Sequence, residues 1–445
     1  MNRNRSILNI CKNNGGYTLY IVFLVLSIFS ILFSISLIEL RHVRVSAARE
    51  KQHLQAKLLA ESGLSRAEFF LSGGDGHSMN WETDKFEEML GSIGKIQVSV
   101  QKFGLFSRIV SSGEYKKSSY SISGLVVRDI PELLKPSLTL TGHIGGLVLN
   151  EGSSIDGYIT LHHGNIYRNS RDRPIADYQS RVLNRESPNL PFDSSSVINT
   201  FSSFAETFAK LSIGVQSQTY TANMQLKDTI ILVQGDYVLN SGYINNSQLV
   251  VSGKLSIRRD ISINHSKIFA KVMSVEGGFS ESSVLYSSKQ MYLNGGYHNS
   301  QFYSNDSLII SNCVKTGSMN LFAVLRGGVA DSLSQGGLFI KANSKVRGTF
   351  LCILAPNEKQ VVVDHPFILI EPGASIVGAV ITDHDIEMRQ VQIKGHVWAR
   401  SLVASDENKS YTNYLLSSTI TPDDELPFPL VGKISAMSRL KCIKF

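Results

Sequence analysis

The chain has 445 residues, a formal charge of +7 at neutral pH and only 18% charged residues, against about a quarter in an average soluble protein. The positive balance is mild and no dense basic cluster interleaved with aromatics occurs, which argues against a nucleic-acid surface. Four cysteines, Cys11, Cys313, Cys352 and Cys442, form no close C-x-x-C pair, so a cysteine-based metal site is not expected.

The first sixteen residues are mostly polar, carry Arg3, Arg5 and Lys12 with no acid, and end in Gly15-Gly16. From Tyr17 to Ile38 there follow 22 residues without a charge. At about 1.5 Å per residue this run spans roughly 33 Å, enough to cross a bilayer core. No Ala-x-Ala cleavage site follows it, and no proline occurs before Pro131, so the helix is expected to continue past the membrane surface. Ala56, Ala60, Gly63, Ala67 and Phe70 recur at spacings of 4, 3, 4 and 3. They form a narrow stripe of mostly small residues, of the kind that lets packed helices approach closely. Ser72-Gly73-Gly74 ends the pattern, which predicts one helix over 17–71.

Two elements here carry a family resemblance. Gly15-Gly16-Tyr17-Thr18-Leu19 resembles a prepilin-type junction. The stretch from Ala60-Glu61 through Gly63-Leu64 to Ala67-Glu68 resembles the A-E-x-G-L-x-x-A-E element of PilX-like minor type IV pilins and of tip pseudopilins of type II secretion. The resemblance covers about residues 12–71. It implies a leader over 1–16, cleavage after Gly16 by a prepilin peptidase, and N-methylation of the new terminus at Tyr17. It further implies anchorage in the bacterial inner membrane with a periplasmic C-terminal region, surface exposure after filament assembly, and pilin or pseudopilin partners along the helix. Major pilins carry Glu at the fifth mature position, where this chain has Ile21. That departure points to a minor subunit at a tip, with nothing stacked above it. Charge distribution pulls the other way. Arg41, Arg44, Arg49, Lys51 and Lys57 follow the span, so the positive-inside rule does not favour an outside C-terminus.

Residues 72–136 read as a small α/β, pilin-like head. Lys95–Gln101, Leu105–Ser111 and Ser118–Val126 alternate apolar and polar residues, with Gly104 and Gly113 between them, as in an antiparallel meander. From 137 to 420 the texture changes. Apolar segments beginning at Thr229, Ser247, Ser266, Ser283 and Ser300 return at intervals of 18, 19, 17 and 17 residues. A second signature, Ile/Val-x-Gly-x-apolar, places glycine at Gly157, Gly348, Gly378 and Gly395. Such a period predicts a single-stranded β-helix, or β-solenoid, in which stacked levels bury a common core. In texture this part resembles bactofilins. The fold class expected is therefore mainly β, a long N-terminal helix with a small sheet followed by a β-solenoid.

Residues 164–228 interrupt the repeat. A helix near Ser196–Leu211, with Val197, Phe201, Phe204, Phe208 and Leu211 on one face, is expected either to cap the solenoid end or to mark a binding side. The last segment, 421–445, loses the repeat and reads as a cap or tail.

Chemistry-bearing residues are sparse. Asp383-His384-Asp385 with Glu387, together with His396 one repeat on, are the candidates for a carbohydrate-active groove, which needs clustered carboxylates. His162-His163 near Asp156 lacks a further ligand at a supporting spacing for a metal. No phosphate loop and no nucleophile motif appears. The reading is thus a non-enzymatic, membrane-anchored pilin-like subunit without cofactor, displaying a β-helix whose ligand would be a surface glycan or a protein. A bactofilin-like tethered scaffold and an anchored carbohydrate-active enzyme are the alternatives.

Overall fold

The computed structural model describes residues 5–71, 85–90, 94–128, 135–142, 145–150, 152–169, 175–184, 190, 194–212, 220–312, 315–316, 320–327, 336–355, 366–406, 409–423 and 440–444. It is mainly β, with one long apolar helix at the N-terminus. That helix, α1, runs from Arg5 to Leu71 without interruption. Leu is its commonest residue and no proline breaks its ladder.

Strands β1 (Lys85–Leu90), β2 (Gly94–Phe103), β3 (Phe106–Tyr115) and β4 (Ser118–Arg128) form an antiparallel sheet. Its fifth strand is Leu440–Lys444, which pairs with β4. The segment 421–445 therefore ends as part of the head sheet. The sheet's inward residues Ile96, Val98, Val100, Ile109, Ile122 and Val126 pack on Ala60, Leu64 and Ala67 of α1. The small stripe on α1 thus meets a sheet rather than another helix. Gly113 lies inside β3, not at a turn. A Cβ there would sit 2.2 Å from the Ala56 carbonyl oxygen, so the glycine is what lets β3 lie against the helix backbone.

The remainder is a parallel ladder. Successive segments pair with the segment one repeat later, as in Tyr237 with Leu255, Leu249 with Ile268, Ile268 with Leu285 and Leu285 with Phe302. Later steps are longer, as in Phe322 with Phe350 and Val346 with Ile376. Parallel register stacks like on like. One inward column runs Leu249, Ile268, Leu285, Phe302, Phe322, Phe350, Val380 and Val397, all buried. Within it the rings of Phe302, Phe322 and Phe350 stack face to face, with centroids 5.3 and 4.9 Å apart. A second inward column runs Leu255, Met273, Met291, Leu308, Leu338, Ile368, Ile386 and Leu402. Together they make the largest core of the protein. Cys352 lies in it as a free, buried thiol whose pKa burial raises. It acts as a small hydrophobe. Cys313 lies outside the described residues.

Two devices fix the stacking. At one corner Asp228, Asn246, His265 and Ser282 adopt left-handed backbone, with φ of 52, 46, 50 and 47°. After each of the last three comes a serine whose hydroxyl accepts the amide of the preceding level: Ser247 from Thr229, Ser266 from Ser247, Ser283 from Ser266. Ser300 takes the Ser283 amide, and Asn320 takes that of Ser300. Backbone amides turned away from the strand ladder are thus satisfied inside the corner. At another place Gly348, Gly378 and Gly395 stand in register. A Cβ on Gly378 would lie 1.7 Å from the Gly348 carbonyl oxygen, and one on Gly395 would lie 1.9 Å from that of Gly378. This accounts for the Ile/Val-x-Gly-x-apolar signature at these three positions, whereas a Cβ on Gly157 would meet Ser137 Oγ at 2.5 Å.

Stacking order is not chain order. Leu138–Leu140 pairs with Val397–Ala399, and Ile159–Leu161 pairs on its other side with Leu138–Leu140 and with Val182–Asn184. Residues 138–184 therefore extend the end of the ladder formed by 392–421. The strand Tyr220–Lys227 sits at the opposite end, beside Tyr237–Asn245. After a single turn, α2 (Ala176–Gln179), the helix α3 (Ser194–Ser212) lies on the flank between the two ends. It caps neither end. Its Val197, Phe201 and Phe204 cover an outward column of Val250, Phe269, Tyr286 and Tyr303, with Phe204 within 5.0–5.9 Å of three of those rings.

Candidate functional site

The element that most distinguishes this chain is α1, and its two halves differ. From Tyr17 to Val45 the large apolar side chains are exposed, Ile21 among them. The helix is long and apolar enough to cross a membrane, with a mean hydropathy of 2.8 over its most apolar stretch. Exposure of this many contiguous apolar residues to water is unfavourable at about 25 cal/mol per Å², whereas a bilayer or a packed neighbour covers them. Gly16 and Tyr17 lie within the helix.

In the second half Ala56, Ala60, Leu64 and Ala67 are completely buried. Gly63 lies on the same face in tight surroundings. A Cβ there would come within 2.4 Å of Ser111 Oγ and 2.6 Å of Ile96 Cγ2. The Ser111 hydroxyl donates to the Ala60 carbonyl oxygen at 2.7 Å. So the face formed by Ala56, Ala60, Gly63 and Ala67 is occupied by the protein's own head, and the outward faces of this half mix charged residues with the exposed Leu54, Leu58 and Phe69.

The head is in turn fixed to the ladder. The β2–β3 turn inserts Phe103, Leu105 and Phe106 into the outward cluster containing Tyr303 and Leu321. The Leu105 amide donates to Tyr303 Oη at 2.8 Å, and Gln301 Nε2 donates to the Phe103 carbonyl oxygen at 2.9 Å. Burial raises the Tyr303 phenol far above its ordinary pKa, so it stays a neutral hydrogen-bonding group. Neither Gln301 nor this turn stands out in the sequence.

The residues singled out for chemistry are engaged in structure. Asp383 and His384 form the bend between Ser375–Thr382 and Asp385–Met388. Asp383 Oδ1 meets His384 Nδ1 at 3.1 Å, and the His384 ring stacks on Phe367 at 3.9 Å. Asp385 accepts two hydrogen bonds from Arg400, at 3.0 and 2.7 Å, and one from Ser401 Oγ at 2.6 Å. Burial works against its charge, but these donors hold the carboxyl below its usual range. A carboxylate so held is a poor proton donor. Glu387 sits on the same strand face, in register with Leu369 and Val403. His396 is fully buried, its ring nitrogens 3.2 and 3.1 Å from the carbonyl oxygens of Pro136 and Asp423. It joins the start and the end of the ladder region. The rings of His162 and His163 lie 4.5 Å apart, and Asp156 is exposed. Among the described residues no group of three or more His, Cys, Asp and Glu is placed to hold a metal ion.

No family model matches the chain, and no curated protein matches it. Among solved structures it is similar to an ice binding protein from an Antarctic bacterium of the Flavobacteriaceae. That likeness covers 65% of this chain and 97% of the other at 9% identity, with a TM-score of 0.15. It is also similar to the competence-associated pilin ComZ from Thermus thermophilus, covering 88% of this chain and 97% of the other at 10% identity, with a TM-score of 0.24. Superpositions this loose define neither a shared fold nor a shared function.

Proposed function

We propose that this chain is a membrane-anchored minor pilin- or pseudopilin-like subunit at a filament tip, and that its ladder is a β-helix displayed for assembly or surface binding. In this reading residues 1–16 are removed by a prepilin peptidase and Tyr17 becomes the N-methylated terminus. The anchor lies in the inner membrane, other pilins or pseudopilins contact the exposed half of α1, and the β-helix is periplasmic. One observation carries the reading. Within a single helix, the exposed apolar run after Gly16 passes without a break into a small-residue face packed on an antiparallel sheet. The parallel pairing at steps of 17 to 19 residues supports the β-helix. Ile21 puts no carboxylate in the apolar run, which suits a subunit that need not pair with a neighbour's amine.

Peptide mass spectrometry of the mature, membrane-extracted protein tests this. A methylated Tyr17 terminus is expected. An intact Met1, or a terminus elsewhere, overturns it. A reversed orientation, with the ladder as a cytoplasmic scaffold, is favoured by one observation, the five cations between Arg41 and Lys57. Protease accessibility of the ladder in spheroplasts separates the two.

A further inference from the structure

A cleft of about 360 Å³ opens where the head meets the first levels of the ladder. One wall is Gln101, Lys102, Phe103 and Arg108 of β2 and β3. The other is built from the stacked left-handed corner, Asp228, Asn246 and His265, with Gln248 and Lys267 beside it. Three cations therefore face one carboxylate. That carboxylate is already engaged, since Asn246 Nδ2 donates to Asp228 Oδ1 at 2.6 Å. Lys102, Arg108 and Lys267 carry no ion pair among the described residues. Arg108 has one long hydrogen bond, 3.5 Å to Ser123 Oγ, and lies 6.0 Å from the Phe103 ring.

Like charges are thus gathered at a partly desolvated place, which is unfavourable unless something compensates. Burial, and after it the neighbouring Arg108, lowers the pKa of both His265 and Lys267, while Glu281 acts on His265 in the opposite sense. Burial also lowers that of Arg108. His265 Nδ1 is buried without a hydrogen-bond partner among the described residues. A buried polar atom in that state calls for a partner. The side-chain amides of Gln101 and Gln248 are likewise unengaged among the described residues. A forked guanidinium suits an oxyanion, and amides suit hydroxyl groups.

We propose that this cleft binds a small hydroxylated organic acid, its carboxylate or phosphate held by Arg108 with Lys267 and His265, and its hydroxyls by Gln101 and Gln248. The volume suits one monosaccharide-sized unit. The site spans two parts of the fold, so an occupant would also tie the head to the ladder.

Calorimetric titration of the full chain in detergent micelles, at fixed ionic strength, tests the site with glucuronate, glucose 6-phosphate, inorganic phosphate and glucose. Saturable binding of one or both sugar acids is expected, and their ranking names the oxyanion. Arg108→Gln should weaken it roughly 10- to 100-fold, the scale of a charge-assisted hydrogen bond. Lys267→Gln, at the exposed mouth, should weaken it roughly threefold, and the distant Lys345→Gln should leave it unchanged. Thermal unfolding confirms that each variant is folded, and the Lys267 variant keeps the test open should the Arg108 variant fail to fold. Absence of binding overturns the proposal, as does glucose binding equally well or indifference to both Arg108→Gln and Lys267→Gln. Inorganic phosphate binding as tightly as the sugar acids overturns the hydroxyl half of it.

Discussion

Gly378→Ala probes the stacking most directly. At an ordinary position the change stabilises by about 0.4–1 kcal/mol, through the unfolded chain. Here the new methyl would lie 1.7 Å from the Gly348 carbonyl oxygen, a backbone atom that no rotamer change can move. Contacts below 3.0 Å are essentially never found, so the two levels must part by more than about 1 Å in a stack whose spacing is about 4.8 Å. Overpacking of this kind costs about 1–3 kcal/mol, and a left-handed backbone on a residue with a side chain about 1–3 more. A loss of about 4 kcal/mol follows, roughly a thousandfold in the folding equilibrium. Gly295→Ala is the control. Its φ is +77 but nothing lies within 4 Å of the new methyl, so only the backbone part, about 1–2 kcal/mol, remains. Urea unfolding, followed by the fluorescence of buried Trp398 in a Trp81→Phe background, reads both. A loss for Gly378→Ala no larger than for Gly295→Ala would refute the close approach of the glycine column.

Ser266→Ala removes the acceptor of the Ser247 amide, and a loss of about 1–2 kcal/mol is expected, with faster hydrogen exchange at that amide. His298 is buried and its pKa is lowered to about 4 by burial, its Nδ1 2.8 Å from Ser280 Oγ. The unfolded chain takes up a proton near pH 6.5 and the folded one only near 4. Stability therefore falls as pH drops through that window, by about 3 kcal/mol. Equilibrium unfolding of His298→Gln should show that loss reduced. Gly63→Leu drives a side chain into Ser111 and Ile96 and should undock the head from α1, seen as rapid proteolysis within residues 94–128.

The repeat was legible because parallel stacking puts the same residue class at the same place in every level, and a period of 17 to 19 follows directly. The first helix and the meander were legible for the same reason, since each buries one face and shows it as a local period. What could not be read is pairing between distant segments. Nothing near Leu138 says that its neighbour is Val397, and nothing in Leu440–Lys444 says that it completes the head sheet. The face of Phe201 and Phe204 announced a helix, but not that its partners are Phe269, Tyr286 and Tyr303 on the ladder's flank. The cleft escaped for the same reason. Arg108 and His265 become neighbours only when the head docks, and each alone is an ordinary residue in a strand or a turn.

The departure of the stacking order from chain order has a consequence for biosynthesis. Residues 138–184 leave the ribosome early, yet their partners at 392–421 are made almost last, and His396 meets Pro136 across 260 residues. Closing so long a loop costs roughly 5 kcal/mol of chain entropy. The nascent chain must carry an apolar segment with one open edge through most of its synthesis, with the head sheet still one strand short. A chain that stops before residue 392 leaves Leu138–Leu140 paired with Ile159–Leu161 on one side and open on the other. Incomplete copies therefore expose raw strand edges, which gives proteases a means of distinguishing them from finished ones.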